Sequence, residues 1–150
     1  MKMLILGSTG LVGNTITKYF LQKEDIHIFA TIRDYSKLKL FKNKYHKNFL
    51  IINDILEYGE IKKNLKKIKP DILINCLGIT NKENLLKPDQ IENCISINSL
   101  FPHKLQRICS VIGTRLIHFS SDCIFSGRKG FYSENDLPDP PDTYGKSKLL

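Results

Sequence analysis

Tyr144 and Lys148 stand four residues apart in Tyr144-Gly145-Lys146-Ser147-Lys148, a spacing that puts both side chains on one face of a helix. A phenol with a pKa of about 10 is a poor proton carrier at neutral pH. An ammonium held nearby favours the phenolate, and general acid–base catalysis works best when the pKa lies near the working pH. Upstream, Ser121 in Phe119-Ser120-Ser121-Asp122 follows a short apolar run. A hydroxyl, a phenol and an ammonium together suit the protonation of a carbonyl oxygen as hydride reaches its carbon. A Tyr and a Lys at this spacing also arise by chance on amphipathic helices, so the pair needs support from elsewhere in the chain.

That support is Gly7-Ser8-Thr9-Gly10-Leu11-Val12-Gly13, a G-x-x-G-x-x-G turn that follows an apolar run and opens a helix-period segment. Gly7 permits a tight turn, Gly10 lets backbone approach a pyrophosphate, and Gly13 lets helix pack on sheet. The free N–H groups at the helix start favour phosphate. Dinucleotide binding is the expectation; no G-K-[ST] ending supports a nucleoside-triphosphate loop.

The run closing the second apolar segment is Ala30-Thr31-Ile32-Arg33-Asp34. An acid there would accept bonds from the ribose hydroxyls of NAD, whereas an Arg accommodates the 2′-phosphate of NADP. Arg33 comes first, so NADP(H) is favoured and NAD(H) remains an alternative. The bland roles are a solvated Arg33 and an Asp34 that caps the next helix. Asp54, followed by Ile55, either accepts the adenine amino group or caps a helix. Asn75-Cys76-Leu77-Gly78 offers small residues against which a cofactor can lie.

These residues need a frame. Residues 2–6, 26–32, 49–52, 72–74 and 116–119 read as strands. Helix-spaced stripes alternate with them: Val12, Ile16, Tyr19 and Phe20; Leu38, Phe41 and Tyr45 within 35–45; Ile61, Leu65 and Ile68; and Leu105, Ile108, Cys109 and Ile112 within 88–112. Pro102 predicts a kink or two helices in the last of these. Residues 125–142 read as a long loop, and a final helix starts near Thr143. The alternation implies an α/β fold with a doubly wound parallel sheet of Rossmann type, strand order 3-2-1-4-5. Ligands then sit beyond the carboxyl ends of the strands, where the order reverses.

At 150 residues the prior is one domain. The net charge of +8 falls in residues 1–70, where 14 Lys/Arg face 6 Asp/Glu; residues 71–150 hold 9 of each. Lysines in 37–47 and 62–69 read as the solvated faces of two surface helices rather than as a nucleic-acid patch. Cys76, Cys94, Cys109 and Cys123 form no metal-binding spacing and read as reduced thiols. No uncharged apolar run reaches the ~18 residues a membrane span needs. The N-terminal apolar stretch is too short for a signal peptide. A soluble, cytoplasmic protein with no metal, nucleic-acid or membrane partner is the expectation.

In four ordered segments the chain resembles an extended short-chain dehydrogenase/reductase, specifically the dTDP-4-dehydrorhamnose reductase-like, sugar-nucleotide-binding family. They are the glycine turn; residues 71–78; Ile97-Asn98-Ser99-Leu100-Phe101-Pro102-His103-Lys104-Leu105; and Ser-x-Asp-x-x-Phe-x-Gly from Ser120, continuing through Tyr132-Ser133-Glu134 to Tyr144–Lys148. The resemblance implies Tyr144 as catalytic acid, Lys148 as its partner and a ligand of the nicotinamide ribose, and Ser121 as the group orienting the substrate carbonyl. It implies Asn98 in a proton relay to Lys148; a helix-interior amide is the bland role. Cys123 stands where relatives often carry Tyr. The implied substrate is a nucleotide-linked 4-keto-6-deoxy sugar, and the setting is polysaccharide biosynthesis. Folds of this kind often pair as homodimers through helices flanking the sheet. Family members are longer, with sugar-nucleotide-binding segments beyond the position of Leu150. The chain then reads as the N-terminal portion of an enzyme, or as a short nucleotide-binding or regulatory module, its last helix turns frayed for want of packing.

Overall fold

The computed structural model describes residues 1–80 and 88–150. The chain forms two compact units, one of Met1–Leu77 with Lys104–His118, the other of Gly78–His103 with Phe119–Leu150.

The first unit holds the whole sheet: β1 Lys2–Leu6, β2 His27–Ile32, β3 Phe49–Ile51, β4 Ile72–Asn75 and β5 Arg115–His118, in the order β3-β2-β1-β4-β5. Every neighbouring pair is parallel, with Ile5 opposite Ala30 on one side and Ile74 on the other. This is the predicted order. The central strand is buried on both faces, as a parallel sheet covered by helices requires. Met3 and Ile5 join Ile28, Ala30 and Ile74 in a cluster covered by Ile16, Phe20 and Leu21. Leu4 and Leu6, on the opposite pleat, are inaccessible to solvent.

Two helices of this unit lie where the periodicity placed them, α1 Leu11–Phe20 and α2 Tyr58–Ile68. The core-facing stripe of α1 is Gly13 and Thr17, both buried, with the partly buried Ile16 and Phe20, while Val12 and Tyr19 are exposed. Glycine and threonine carry no apolar signal, so the expected stripe was rotated by about one position. In α2, Ile61, Leu65 and Ile68 are buried and the lysines lie outside.

The helix expected over 35–45 is absent. The chain instead makes two 3-10 segments, Tyr35–Leu40 and Asn43–Asn48. Between them Phe41 is extended and buried, its ring 4.3 Å from that of Phe49. A helical stripe of Leu38, Phe41 and Tyr45 alone gives an α-helix too little to bury against the cost of nucleation. One well-packed extended Phe wins. The lysines of 37–47 therefore project from short turns, not from an amphipathic helix.

Residues from 88 to 112 run as α3 Pro88–Ile95, a π-helical segment Ser96–Leu100 and α4 Phe101–Ile112. Pro102 has no N–H for the carbonyl of Asn98 four residues earlier, so the α ladder is interrupted just ahead of it. The Phe101 amide reaches back to Ser96 instead, an i→i+5 bond. The stretch is thus two α-helices joined by a widened turn, one of the two forms expected around Pro102. In the second unit α5 spans Thr143–Leu149, capped by the Asp142 carboxylate on the Gly145 amide. Residues 125–142 form the expected loop, tied by Lys129–Asp136 pairing, by Ser126 on Asp139 and by stacking of Phe125 on Tyr132 with centroids 4.4 Å apart.

Candidate functional site

In the first unit, the turn between β1 and α1 gives each glycine a different reason. Gly7 has φ +79°, a left-handed backbone that side chains resist, and a Cβ there would press on Leu77 Cδ2 at 3.0 Å and the Cys76 carbonyl at 3.2 Å. A methyl on residue 13 would run into the Gly7 carbonyl oxygen. At Gly10 a Cβ meets, among the described residues, only the Gly7 oxygen, at 3.6 Å, an ordinary contact. Among the described residues, no atom stands close enough to demand glycine at position 10.

The turn is closed by the Gly10 amide on the Gly7 carbonyl at 3.1 Å, and α1 starts with the Asn14 amide on Gly10 at 2.8 Å. The amides of Leu11, Val12 and Gly13 therefore precede the first intrahelical bond. No acidic residue stands in this first turn. Thr9, Gly10 and Leu11 are exposed, whereas Ser8 is buried and its hydroxyl donates to the Thr31 carbonyl at 2.7 Å. The Gly7 amide donates in turn to the Thr31 hydroxyl at 3.2 Å. This reciprocal tie pins the glycine turn to the end of β2. A hydroxyl has no periodic signature, so the tie is invisible in the sequence.

Other expected contact residues follow the strand ends of this unit. Arg33 is exposed one residue past β2. Asp34 turns to its own chain, accepting from the amide and hydroxyl of Ser36, and these bonds hold its carboxyl below the usual range. It caps the following 3-10 segment. Asp54 Oδ1 accepts from the Leu56 amide at 2.8 Å and Ile55 is half-buried; α2 is entered from Glu57, so Asp54 is not its cap. Past β4, Asn75 is buried, with Nδ2 3.1 Å from His118 Nδ1 and Oδ1 accepting from the Leu77 amide. Burial pushes the Cys76 thiol up to about 11, which makes it inert at neutral pH.

The second unit brings together Tyr144, Lys148, Asn98 and Gly78. Tyr144 is buried and packs with Cys94 and Cys123. Lys148 is half-buried and donates to the Phe119 carbonyl at 2.9 Å. Burial lowers its pKa from the ordinary lysine value, partly opposed by the Cys94 thiol. A methyl on residue 78 would sit 3.4 Å from Lys148 Nζ and 3.6 Å from Asn98 Oδ1, ordinary contacts that place Gly78 beside both groups. A side chain on Gly145 would strike the Cys123 carbonyl.

Asn98 clamps a peptide. Its Oδ1 accepts from the Ile79 amide at 2.9 Å and its Nδ2 donates to the Ile79 carbonyl at 3.0 Å. Nδ2 also lies 3.0 Å from Ser147 Oγ and 3.3 Å from Cys94 Sγ. Ser121 Oγ accepts from the Cys123 amide and contacts Asp122 Oδ1, both at 3.2 Å, so the hydroxyl caps a 3-10 turn. Sequence reasoning missed Ser147, Ser99 and Cys94, which line this polar core; the place of Ser147 inside the Tyr–Lys spacing was the one hint to it.

The profile of the family described as "RmlD substrate binding domain" matches residues 1–150. The chain is 28% identical over 148 residues to methionine adenosyltransferase 2 subunit beta of Xenopus laevis, covering 99% of this chain and 40% of that one. Its fold matches the crystal structure of a hypothetical dTDP-4-dehydrorhamnose reductase of Sulfolobus tokodaii with a TM-score of 0.79 at 25% identity, covering 100% of this chain and 50% of that one. It also matches the fold of a Bacillus anthracis dTDP-4-dehydrorhamnose reductase in complex with NADP, TM-score 0.75 at 23% identity, covering 99% and 46%. The chain thus spans half or less of the length of each of these proteins. Among the described residues, no helix is long and apolar enough to cross a membrane.

Proposed function

The chain belongs to the RmlD substrate-binding-domain family, and from that premise we propose that it is the cofactor-binding portion of an NADP(H)-dependent reductase of a nucleotide-linked 4-keto-6-deoxy sugar. The observation that carries the reading is Gly10, a glycine that no neighbouring atom among the described residues requires, at a turn followed by the amides of Leu11, Val12 and Gly13, which precede the first intrahelical bond. This cradle fits a pyrophosphate: backbone donors and the positive end of α1 meet it without a side chain intervening.

Gly7, Thr9, Gly10 and the amides of Leu11, Val12 and Gly13 hold the diphosphate. Ser8 contributes its main chain, since its hydroxyl is engaged by Thr31. Arg33 pairs with the 2′-phosphate, while the Asp34 carboxylate is turned to the amide and hydroxyl of Ser36. Asp54 presents its second oxygen to the adenine amino group beside Ile55, and Cys76, Leu77 and Gly78 give a small-residue wall. When bound, the cofactor supplies a hydride to the keto carbon. Tyr144 gives its phenolic proton to the carbonyl oxygen, Lys148 stabilises the phenolate left behind, and Ser121 orients the carbonyl through its hydroxyl. The Asn98 amide does not titrate; with Oδ1 and Nδ2 occupied, it supports the site by holding Ile79 rather than by passing protons through its side chain.

A second reading has its own support: the similarity to proteins named as a subunit of another enzyme favours a nucleotide-binding module without turnover. Titration of the intact protein with NADPH and NADH, followed by a hydride-transfer assay on a dTDP-4-keto-6-deoxy sugar, separates the two. Binding with turnover supports the reductase, binding without turnover supports the module, and binding of neither cofactor removes both.

A further inference from the structure

The side-chain hydrogen bonds that run from the π-helical segment to α5 converge on one residue. Asn98 Nδ2 donates to Ser147 Oγ at 3.0 Å, and the adjacent Ser99 Oγ donates to the Ser147 carbonyl at 2.6 Å. Cys94 Sγ, one turn earlier on α3, lies 3.2 Å from the same Ser147 Oγ. Ser147 Oγ donates onward to the Tyr144 carbonyl at 2.7 Å. Ser147, Ser99, Asn98 and Cys94 are all buried, where an unmade hydrogen bond costs most. One hydroxyl has one proton, so with its donor on Tyr144 the Ser147 oxygen receives from Asn98 and Cys94.

Adjacent residues of a regular α-helix point about 100° apart, an awkward angle from which to grip a single residue. The i→i+5 turn closed by Phe101 on Ser96 changes that local geometry, and within it Asn98 and Ser99 reach the side chain and the main chain of Ser147. Single π turns inside α-helices are frequent at functional sites. Here the widened turn lies ahead of Pro102, and its gripped residue is the immediate neighbour of Lys148. The ties meet α5 at a buried residue, between Tyr144 and Lys148 in the chain.

We infer that Ser99 and Ser147 are positioning residues: the π turn grips α5 at Ser147 and thereby sets where Tyr144 and Lys148 stand. This rests on the reductase reading for its consequence in turnover, but not for the grip itself. Loss of the Ser147 hydroxyl removes the acceptor for Asn98 and the donor to Tyr144 together; loss of the Ser99 hydroxyl frees only the Ser147 carbonyl.

The test uses the intact protein with lysines reductively 13C-methylated, the Lys148 signal assigned by its absence in Lys148→Arg. Ser147→Ala is expected to move the Lys148 titration toward that of an ordinary lysine and to lower kcat more than tenfold at unchanged NADPH affinity. Ser147→Thr, which keeps the hydroxyl, restores both. Ser99→Ala, the milder lesion, shifts both readouts the same way by a smaller factor and serves if Ser147→Ala does not fold. An unshifted Lys148 titration in a folded Ser147→Ala or Ser99→Ala protein overturns the inference. Wild-type protein without hydride transfer sinks the reductase reading alone, because the titration still reports the grip.

Discussion

Lys148 Nζ donates to the carbonyl oxygen of Phe119 at 2.9 Å, and this bond holds a half-buried ammonium that solvation alone would draw outward. Burial lowers its pKa, so the folded state binds this proton less tightly than the unfolded chain. Between the lowered value and the ordinary lysine value the unfolded chain carries more protons, and stability rises with pH through that window. Below it, the cost of a charged, partly desolvated lysine is present in full. Lys148→Met is therefore expected to raise the melting temperature at neutral pH while abolishing turnover, a stability gain at a functional position. Thermal melts of both proteins at neutral and alkaline pH check this; a lower melting temperature for the variant at neutral pH contradicts it.

Gly10 and Gly13 separate a ligand's requirement from the fold's. Gly13→Ala forces a methyl into the Gly7 carbonyl, an overpacking that costs about 1–3 kcal/mol. Gly10→Ala faces an ordinary contact and is expected to leave stability within about 1 kcal/mol. Its effect falls instead on NADPH affinity, weakened at least tenfold, or about 1.4 kcal/mol. Denaturant melts beside cofactor titrations read the two effects separately. Unchanged NADPH affinity in Gly10→Ala removes the cradle.

Arg33 is exposed past β2 while Asp34 is held by Ser36. Arg33→Ala is expected to lower the preference for NADPH over NADH by about tenfold, with NADH affinity little changed. Competitive titration with both cofactors measures the ratio, and an equal loss for both would make Arg33 a general surface charge.

The loop before α5 is tied through carboxylates. Asp139 is held below the usual carboxylate range by the hydroxyl and amide of Ser126, and Asp136 by Lys129 and Ser133. These ties are present above the ordinary carboxylate pKa and are lost as pH falls through the lowered values. Hydrogen-exchange protection across residues 126–139, corrected for the intrinsic exchange rate, is expected to fall before that of the sheet as pH drops below the ordinary carboxylate range, and in Asp139→Asn already at neutral pH. Exchange that accelerates in loop and sheet together contradicts a separately tied loop.

The frame was legible because it rests on repetition. Alternating apolar runs and helical stripes specify a parallel sheet, and the order β3-β2-β1-β4-β5 follows from crossover rules. Gly7 and Gly13 were legible because a strand–helix turn this tight leaves no room for a Cβ at either position. What stayed hidden depends on single long-range bonds. Ser8 on Thr31, Asn98 on Ile79 and Ser99 on Ser147 join residues from 19 to 48 positions apart with hydroxyls and amides that occur everywhere on protein surfaces. Phe41 shows the complementary failure: its helical spacing with Leu38 and Tyr45 is real, yet an extended backbone lets it meet Phe49.

Tyr144 carries the proposed proton transfer, and one substitution isolates it. In the intact protein, Tyr144→Phe keeps the ring that packs with Cys94 and Cys123 and removes only the phenolic oxygen. Single-turnover oxidation of bound NADPH by a dTDP-4-keto-6-deoxy sugar is the direct measurement. The expected result is a loss of about 10²–10⁴-fold in the hydride-transfer rate with NADPH affinity within about twofold of wild type, a shift of less than about 0.5 kcal/mol. A Tyr144→Phe protein that transfers hydride at the wild-type rate would contradict it.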